Sequence, residues 1–348
     1  MASLQKLRIT SYISIIFLFV IISAFFFIML VLFSLFIPVT DFIASTIVMI
    51  SLAFFFIFIQ WLIAPYIVKW AVHLKAGMEV TNKTNPMVYS IVSELVKKAD
   101  VKMPKVYIIR QKEPNAFVFG RTKNDVYLVI HSGLLDLLTP DEIKAVIGHE
   151  IGHIKHRDFI TLTLLAGIPM LTYIIARIVF DMFLFGGISG GKRDAGSLTI
   201  VLIIVGFLSF IVYLITQLTM LWLSRTREFY ADSFSAVTTN KPENLISSLS
   251  KITYNLAYMP DEKNKKAVRA FYAVDPYNAR DDLEEMNQNL DKKTNVVGDR
   301  ELRKRMEEEA HGNFFTKVHH VFATHPPTYK RIIALLEIQK ELEKMHKT

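Results

Sequence analysis

The chain has 348 residues, of which 52% are hydrophobic, and its 40 Lys and Arg outnumber its 32 Asp and Glu to give a formal charge of +8. A mean hydropathy of +0.33 and long uncharged runs rich in Phe indicate a membrane protein rather than a soluble one. The lack of cysteine excludes disulfides, cysteine-ligated zinc and thiol catalysis. The positive charge lies mostly beside apolar segments and in the C-terminal tail, so we expect no nucleic-acid partner.

Two apolar segments predict a transmembrane hairpin in residues 1–70. Ser11–Thr40 contains no charged residue, and Phe42–Val68 follows almost at once after a turn at Pro38. Each segment is long enough to cross about 30 Å of hydrocarbon as a helix. The first is too long for a signal peptide and no small-residue cleavage site ends it, so we expect it to be retained.

Residues 71–158 are predicted to contain a small sheet followed by a helix. Three segments have strand length and apolar or alternating patterns, namely Lys105–Arg110, Asn115–Gly120 and Asp125–Ile130. Turn residues separate them, so we predict a small antiparallel sheet. A free edge of this sheet would offer unpaired backbone groups to an extended peptide.

The helix after the sheet has a clear predicted start. In Thr139–Glu142, the sequence T-P-D-E combines a capping box with a proline at the first helical position. Gly148 and Gly152 lie inside this helix, where each costs about 1 kcal/mol relative to Ala. The close approach of a second backbone would explain both glycines.

The same helix carries the motif H-E-x-x-H. Its two histidines, His149 and His153, are four residues apart and lie on one helix face, so both can reach one ion. Glu150 is rotated by roughly 100° from His149, which leaves it free to contact a water molecule beside that ion. This spacing is typical of zinc hydrolases. The alternative is an amphipathic helix with solvated histidines.

Two more apolar segments, Phe159–Gly186 and Ser197–Leu223, predict a second transmembrane hairpin in residues 159–223. The last segment continues into Ser224–Ala236, which carries Glu228. Two antiparallel helices joined by this hairpin would place Glu228 opposite the two histidines of the motif.

Glu228 is the predicted third ligand, because a catalytic zinc has three protein ligands and one open position. Asp232 lies four residues further on and could orient a ligand histidine through its second ring nitrogen. The alternative for Glu228 is an exposed carboxylate paired with Arg225 or Arg227.

Basic residues beside the apolar segments predict their orientation. One side has Lys6, Arg8, Lys69, Lys75, Lys155, Arg157, Arg225 and Arg227, whereas the opposite turns have only Lys192 and Arg193. Cytoplasmic loops carry the excess of Lys and Arg. We therefore expect a multi-pass protein of the cell membrane with both termini and the motif in the cytoplasm.

The sequence HEIGH, followed after a membrane hairpin by SRTREFYAD, resembles the HtpX-type membrane zinc peptidases, which are gluzincins related to the CAAX prenyl proteases. Two further segments match that family's pattern. Glu113–Gly120 resembles its edge strand beside the active site, and Thr324–Ile332 resembles its His-Pro segment. The resemblance implies one zinc ion per chain and a role in membrane protein quality control and stress response.

The resemblance also implies roles for residues outside the motif. Asn115, with Ala116 and Phe117 on the edge strand, would hold the substrate chain or the attacked carbonyl, unless Asn115 is only a turn residue. His325 would stabilise negative charge on the carbonyl oxygen, unless Thr324 or His325 only caps a helix. Asp232 and Arg227 are expected to lie beside the metal ligands.

Together these patterns predict an α+β membrane protein with four transmembrane helices and a mainly helical cytoplasmic zincin domain. Residues 224–348 would form its C-terminal helical part, with a charged and solvated insertion at 261–311. The predicted function is endopeptidase cleavage of membrane or misfolded proteins beside the lipid bilayer. A CAAX-type prenyl protease, which would have more membrane helices, and a non-enzymatic scaffold with a structural metal remain open alternatives.

Overall fold

A computed structural model describes residues 2–34, 42–185, 195–259, 274, 279, 282–283, 323 and 325–347. The helices are α1 (Ala2–Ser34), α2 (Phe42–Ala71), α3 (Pro86–Ala99), α4 (Ser132–Leu137), α5 (Pro140–His156), α6 (Asp158–Leu165), α7 (Gly167–Phe185), α8 (Ala195–Thr239), α9 (Pro242–Tyr258) and α10 (Thr328–Lys347). The strands are β1 (Met78–Glu79), β2 (Lys105–Ile109), β3 (Ala116–Thr122) and β4 (Asp125–His131). The chain divides into two compact units, Met1–Ala64 with Thr161–Leu223, and Pro65–Ile160 with Ser224–Thr348.

Three of the described helical segments are long and apolar enough to cross a membrane: Phe54–Ala71, Asp158–Asp181 and Leu202–Thr239. A shorter apolar stretch, Tyr12–Ile28, lies within α1. Three of the four expected spans are therefore present as membrane-length helices, and the structure does not establish the fourth. The surface of these helices is rich in large apolar residues, including Phe207, which is 67% exposed. Such a surface suits contact with lipid.

The apolar unit is held together by helix packing. Phe25 of α1 is buried against Val179 of α7 and Val205 of α8. Gly206 lies so near α7 that a Cβ added to it would be 2.9 Å from Cγ1 of Val179. Small residues allow close helix contact in membranes, where dispersion forces rather than water exclusion drive association.

The helix of the H-E-x-x-H motif begins as expected but does not run on into the third apolar segment. Thr139 accepts a hydrogen bond from the N–H of Glu142, whose side chain accepts one from the N–H of Thr139. The helix ends at His156, because Arg157 adopts a left-handed conformation with φ of 57°. A new helix, α6, starts at Asp158. Because of the left-handed Arg157, the side chain of Asp158 faces His153 of α5.

The sheet is mixed, and the prediction of a wholly antiparallel sheet was wrong. Its order is β1-β2-β4-β3, with β4 parallel to β2 and antiparallel to β3. Residues Val126–His131 of β4 are all buried, and a continuous apolar run favours a central position covered on both faces. With β4 in the centre, β3 becomes an edge strand joined to β4 by a two-residue turn.

Each face of the sheet packs on a different layer. Alternate residues such as Val118 and Leu128 join the main core with α3, α5 and α9. The residues between them, such as Phe119 and Val129, pack with Val72 near the end of α2. The period of two in strand side chains thus gives the sheet two apolar faces.

Polar contacts, in addition to the shared apolar core, fix the C-terminal helices. Glu142 of the capping box also accepts hydrogen bonds from Ser247 and Lys251 of α9, at 2.6 and 2.9 Å. Burial alone would raise the pKa of Glu142, but these contacts and the Thr139 cap lower it to about 2. Asp282 fixes the start of α10, because its carboxylate accepts a hydrogen bond from the N–H of Thr328 at 3.1 Å.

The structure differs from two predictions for the C-terminal region, the start of its last helix and the solvated insertion. Neither Thr324 nor His325 starts α10, which begins at Thr328, and Thr324 itself lies outside the described residues. Most of the predicted insertion at 261–311 also lies outside them. Of its described residues, Val274, Ala279 and Asp282 are buried rather than solvated.

Candidate active site

The structure brings the two histidines of α5 together with Glu228 of α8. Nε2 of His149 and Nε2 of His153 are 3.2 Å apart, and each lies 3.5 Å from an oxygen of Glu228. One ligand atom from each residue lies within 4.8 Å of the others. An ion with bonds of about 2.0 Å in tetrahedral geometry separates its ligands by roughly 3.3 Å. The three side chains therefore fit a zinc ion.

Glycines on α5 set the distance between the two helices. A Cβ on Gly152 would lie 3.1 Å from Cα of Ala231, and one on Gly148 would lie 2.8 Å from Oγ of Ser235. Ser235 also donates to the carbonyl of Ala145 at 2.6 Å. These contacts confirm that a second backbone approaches the glycines, and they place α8 antiparallel to α5.

Each ligand histidine has a carboxylate on its other ring nitrogen. Nδ1 of His149 lies 2.9 Å from Oδ1 of Asp232, the residue predicted to orient it. Nδ1 of His153 lies 2.8 Å from Asp158. Such partners fix the tautomer in which Nε2 faces the metal and increase the basicity of the ring.

Each of these two carboxylates is itself paired with an arginine. Arg331 of α10 is 1% exposed and donates two hydrogen bonds to Asp232, at 2.8 and 2.7 Å. Arg227 contacts Asp158, so it supports a ligand histidine through that carboxylate rather than by touching the ligands.

The charge of the site also suits a divalent cation. Four carboxylates and two guanidinium groups surround the histidines, which leaves a formal charge of −2: Glu150, Asp158, Glu228 and Asp232 against Arg227 and Arg331. Buried charge of one sign is costly unless it is compensated. Burial lowers the pKa of His153, but Asp158 and Glu228 raise it well above its usual value. Either protons on the histidines or a bound Zn²⁺ can therefore balance this charge.

Glu150 is 3% exposed and follows His149 on α5. Burial raises the pKa of its carboxyl, and the negative charge of Glu228 raises it further against the opposing effect of the histidines. A raised pKa makes the ionised carboxylate a stronger base, which suits a group that accepts a proton and later returns it.

His325 reaches the same cluster from the segment before α10. Its Nδ1 lies 3.4 Å from an oxygen of Glu228, and the side chain is 8% exposed. Among the described residues, its Nε2 has no hydrogen-bond partner. A buried imidazole with an available nitrogen beside the metal ligands can bind a polar group of a ligand.

The predicted substrate strand lies at the edge of the sheet. Ala116 and Phe117 begin β3, which pairs with β4 and ends the strand order. Asn115 is buried just before it, and its backbone carbonyl accepts from the N–H of His131 at 2.9 Å. Nδ1 of His131 lies 3.0 Å from the carbonyl oxygen of Glu113, so this buried histidine holds the start of the strand.

The sequence interpretation missed Asp158 and Arg331. Asp158 is five residues from His153, a spacing that faces away on a continuous helix, and only the left-handed Arg157 brings it back. Arg331 lies in the His-Pro segment six residues after His325. A fully buried arginine must have a carboxylate partner, but the sequence does not say which one.

Comparisons with known proteins identify relatives of this chain. A model of peptidase family M48 matches residues 82–339. The chain is 37% identical over 206 residues to a protease HtpX homolog of Methanothermobacter thermautotrophicus, covering 59% of this chain and 73% of that protein. It is 30% identical over 287 residues to a protease HtpX homolog of Moorella thermoacetica, covering 82% of each. Among solved structures, Ste24p of S. mikatae aligns over 95% of this chain and 66% of its own, with 18% identity and a TM-score of 0.42.

Proposed function

The chain belongs to peptidase family M48, and we propose that it is a zinc-dependent endopeptidase of the membrane that cleaves membrane or misfolded proteins. The observation that carries the proposal is the cluster of His149, His153 and Glu228, whose ligand atoms lie within 4.8 Å of one another. Glu150 stands beside this cluster, as hydrolysis at a zinc site requires.

In this site His149, His153 and Glu228 would hold one zinc ion. The ion, when bound, supplies a Lewis acid that acidifies water and polarises a carbonyl oxygen. Glu150 takes the proton of the attacking water and then gives it to the departing amine. Asp232 and Asp158 keep the two imidazoles oriented while this happens.

Substrate binding is assigned to the edge of β3, to Asn115 and to His325. The outer edge of β3, from Ala116 onward, would pair with an extended substrate as a further strand. Asn115 would bind a backbone group of that substrate. The Nε2 of His325 would donate to the carbonyl oxygen as negative charge develops on it.

The membrane setting limits the substrates. With α1 as a fourth span beside the three membrane-length helices, both termini would lie on one side of the membrane. The basic residues that flank the apolar segments favour the cytoplasm for that side. Glu228 is only five residues past the apolar run that ends at Leu223. The site would then meet cytoplasmic loops and ends of membrane proteins, which suits quality control.

The test compares the purified full-length chain with its Glu150→Gln variant on an unfolded membrane-protein substrate. We expect the variant to retain one zinc per chain and to lose proteolysis by several orders of magnitude. Asp141→Asn on the exposed end of α5 serves as the matched control and should cleave normally. Wild-type cleavage rates in Glu150→Gln would refute the proposal.

The same assay separates the two alternatives. Preferential cleavage of a prenylated peptide over the unfolded membrane protein would favour a CAAX-type activity. Stoichiometric zinc without any chelator-sensitive cleavage would favour a non-enzymatic scaffold.

A further inference from the structure

A group of basic and aromatic side chains lies where the end of α2 meets the sheet. We call it the basic cluster, and it consists of Tyr66, Lys69, Lys105, Arg121, Asp125 and Tyr127. These residues come from α2, β2, β3 and β4, so the cluster depends on the folded sheet. None of them belongs to the cluster of metal ligands and their partners, and only Arg121, near the end of β3, lies on the proposed substrate strand.

Two ammonium groups of the cluster contact the same oxygen atom. Nζ of Lys69 donates to Oη of Tyr127 at 2.8 Å, and Nζ of Lys105 donates to it at 3.2 Å. A phenol oxygen has lone pairs for both donors, but it does not remove the repulsion between two like charges. Asp125 lies 3.9 Å from Lys105. With Arg121 the cluster has three positive charges and one negative charge.

Aromatic rings hold these cations in place. Nζ of Lys69 lies 4.0 Å from the centre of the Tyr127 ring and 5.5 Å from that of Tyr66. The guanidinium of Arg121 lies 5.2 Å from the centre of the Tyr66 ring. Cation–π contacts fix the direction of a basic side chain. The positive groups are therefore gathered at one place instead of spreading into solvent.

The position of the cluster along α2 indicates its surroundings. The candidate membrane span Phe54–Ala71 ends at this point. Tyr66 is 58% exposed and Trp70 is 78% exposed. Exposed Tyr and Trp beside basic residues at the end of an apolar helix are typical of the headgroup level of a bilayer.

We propose that the basic cluster binds the phosphate of an anionic phospholipid headgroup. Lys69, Lys105 and Arg121 would neutralise the phosphate, which in turn relieves the repulsion among them. Tyr66 and Trp70 would lie among the neighbouring headgroups. Basic pockets at membrane boundaries bind anionic lipids in this way.

The test uses the purified full-length chain in dodecyl maltoside, titrated with phosphatidylglycerol or phosphatidylcholine and followed by native mass spectrometry. The main variant is K69Q/K105Q/R121Q. Each basic residue near an anionic lipid strengthens binding about fivefold, so the variant should bind phosphatidylglycerol roughly a hundredfold more weakly. The matched control K83Q/K97Q/K102Q changes three exposed lysines and should keep the wild-type preference for phosphatidylglycerol.

Two further arms complete the test. K69R/K105R keeps the charge and should keep the preference, while the single variant K69Q should weaken it about fivefold; both remain informative if the triple variant does not fold. Excess inorganic phosphate should not displace the lipid. A triple variant that folds and retains the preference would overturn the proposal. So would wild-type protein without a preference, loss of the preference in K69R/K105R, or displacement by phosphate, which would identify a site for the free ion.

Discussion

The carboxylate of Asp158 lies 2.8 Å from Nδ1 of His153, although Asp158 begins α6 and His153 lies in the last turn of α5. On a continuous helix, five residues correspond to a rotation of about 140° away from the starting side chain. The left-handed Arg157 removes that rotation. The end of α5 is therefore part of the construction of the site, because it supplies the partner of a ligand histidine.

Replacing Asp158 with Asn should weaken zinc binding. The amide keeps the size of the side chain but removes the charge that supports His153, and such partners change metal affinity by about 10- to 100-fold. Zinc affinity can be measured by competition with a chromogenic chelator. Asp141→Asn, an exposed change on the same helix, should bind zinc as the wild type does. Equal affinities of Asp158→Asn and wild type would show that Asp158 does not support the ligand.

Enlarging Gly152 should disturb the site through the helix spacing. A Cβ at this position already lies 3.1 Å from the backbone of Ala231, so Gly152→Val must push α8 away from α5. Overpacking of this kind costs about 1–3 kcal/mol. We expect a lower melting temperature and lost zinc, whereas Lys155→Val on the exposed side of α5 should change neither. Normal zinc content in Gly152→Val would mean that the spacing tolerates the larger residue.

His131 should make the stability of the fold depend on pH. Burial lowers its pKa to about 4 despite the nearby carbonyl of Glu113, which favours the protonated form. The unfolded chain takes up this proton near pH 6.5, so between about pH 6.5 and 4 it binds more protons than the folded chain. Stability is therefore lost as the pH falls through that window, by up to about 3 kcal/mol.

This dependence can be isolated with His131→Gln. Urea unfolding in detergent, repeated from pH 7.5 to pH 4, should show a steeper loss of stability in wild type than in the variant. Parallel curves would mean that His131 does not resist protonation in the folded protein.

Replacing His325 with Ala should lower kcat while the protein keeps its zinc. The imidazole is proposed to stabilise charge that appears only in the transition state, and loss of one such donor costs about 100- to 1000-fold. KM should change little. The exposed His73 provides the control variant His73→Asn. Loss of zinc together with activity would assign His325 a structural role beside Glu228 instead.

Local patterns predicted the elements that carry the ligands. The capping box at Thr139 fixed the start of α5, and the spacing of His149 and His153 placed them on one face. The two glycines indicated the close approach of a second backbone, which is that of α8. These features depend on neighbouring residues in the chain, so the sequence alone contains them.

Features that depend on distant parts of the chain were not predictable in the same way. The parallel pairing of β2 with β4 follows from which strand is buried on both faces, and short apolar strands look alike. The pairing of Arg331 with Asp232 joins residues 99 apart in sequence. The break at Arg157 has no glycine or proline to mark it, and tertiary contacts of Asp158 with His153 and Arg227 favour it instead.

Anomalous X-ray diffraction at the zinc absorption edge, on crystals of the full-length protein, tests the central claim most directly. We predict one strong peak per chain, about 2.0–2.2 Å from Nε2 of His149, Nε2 of His153 and an oxygen of Glu228. A peak bound by other residues, or one that leaves Glu228 out of contact, would contradict the account.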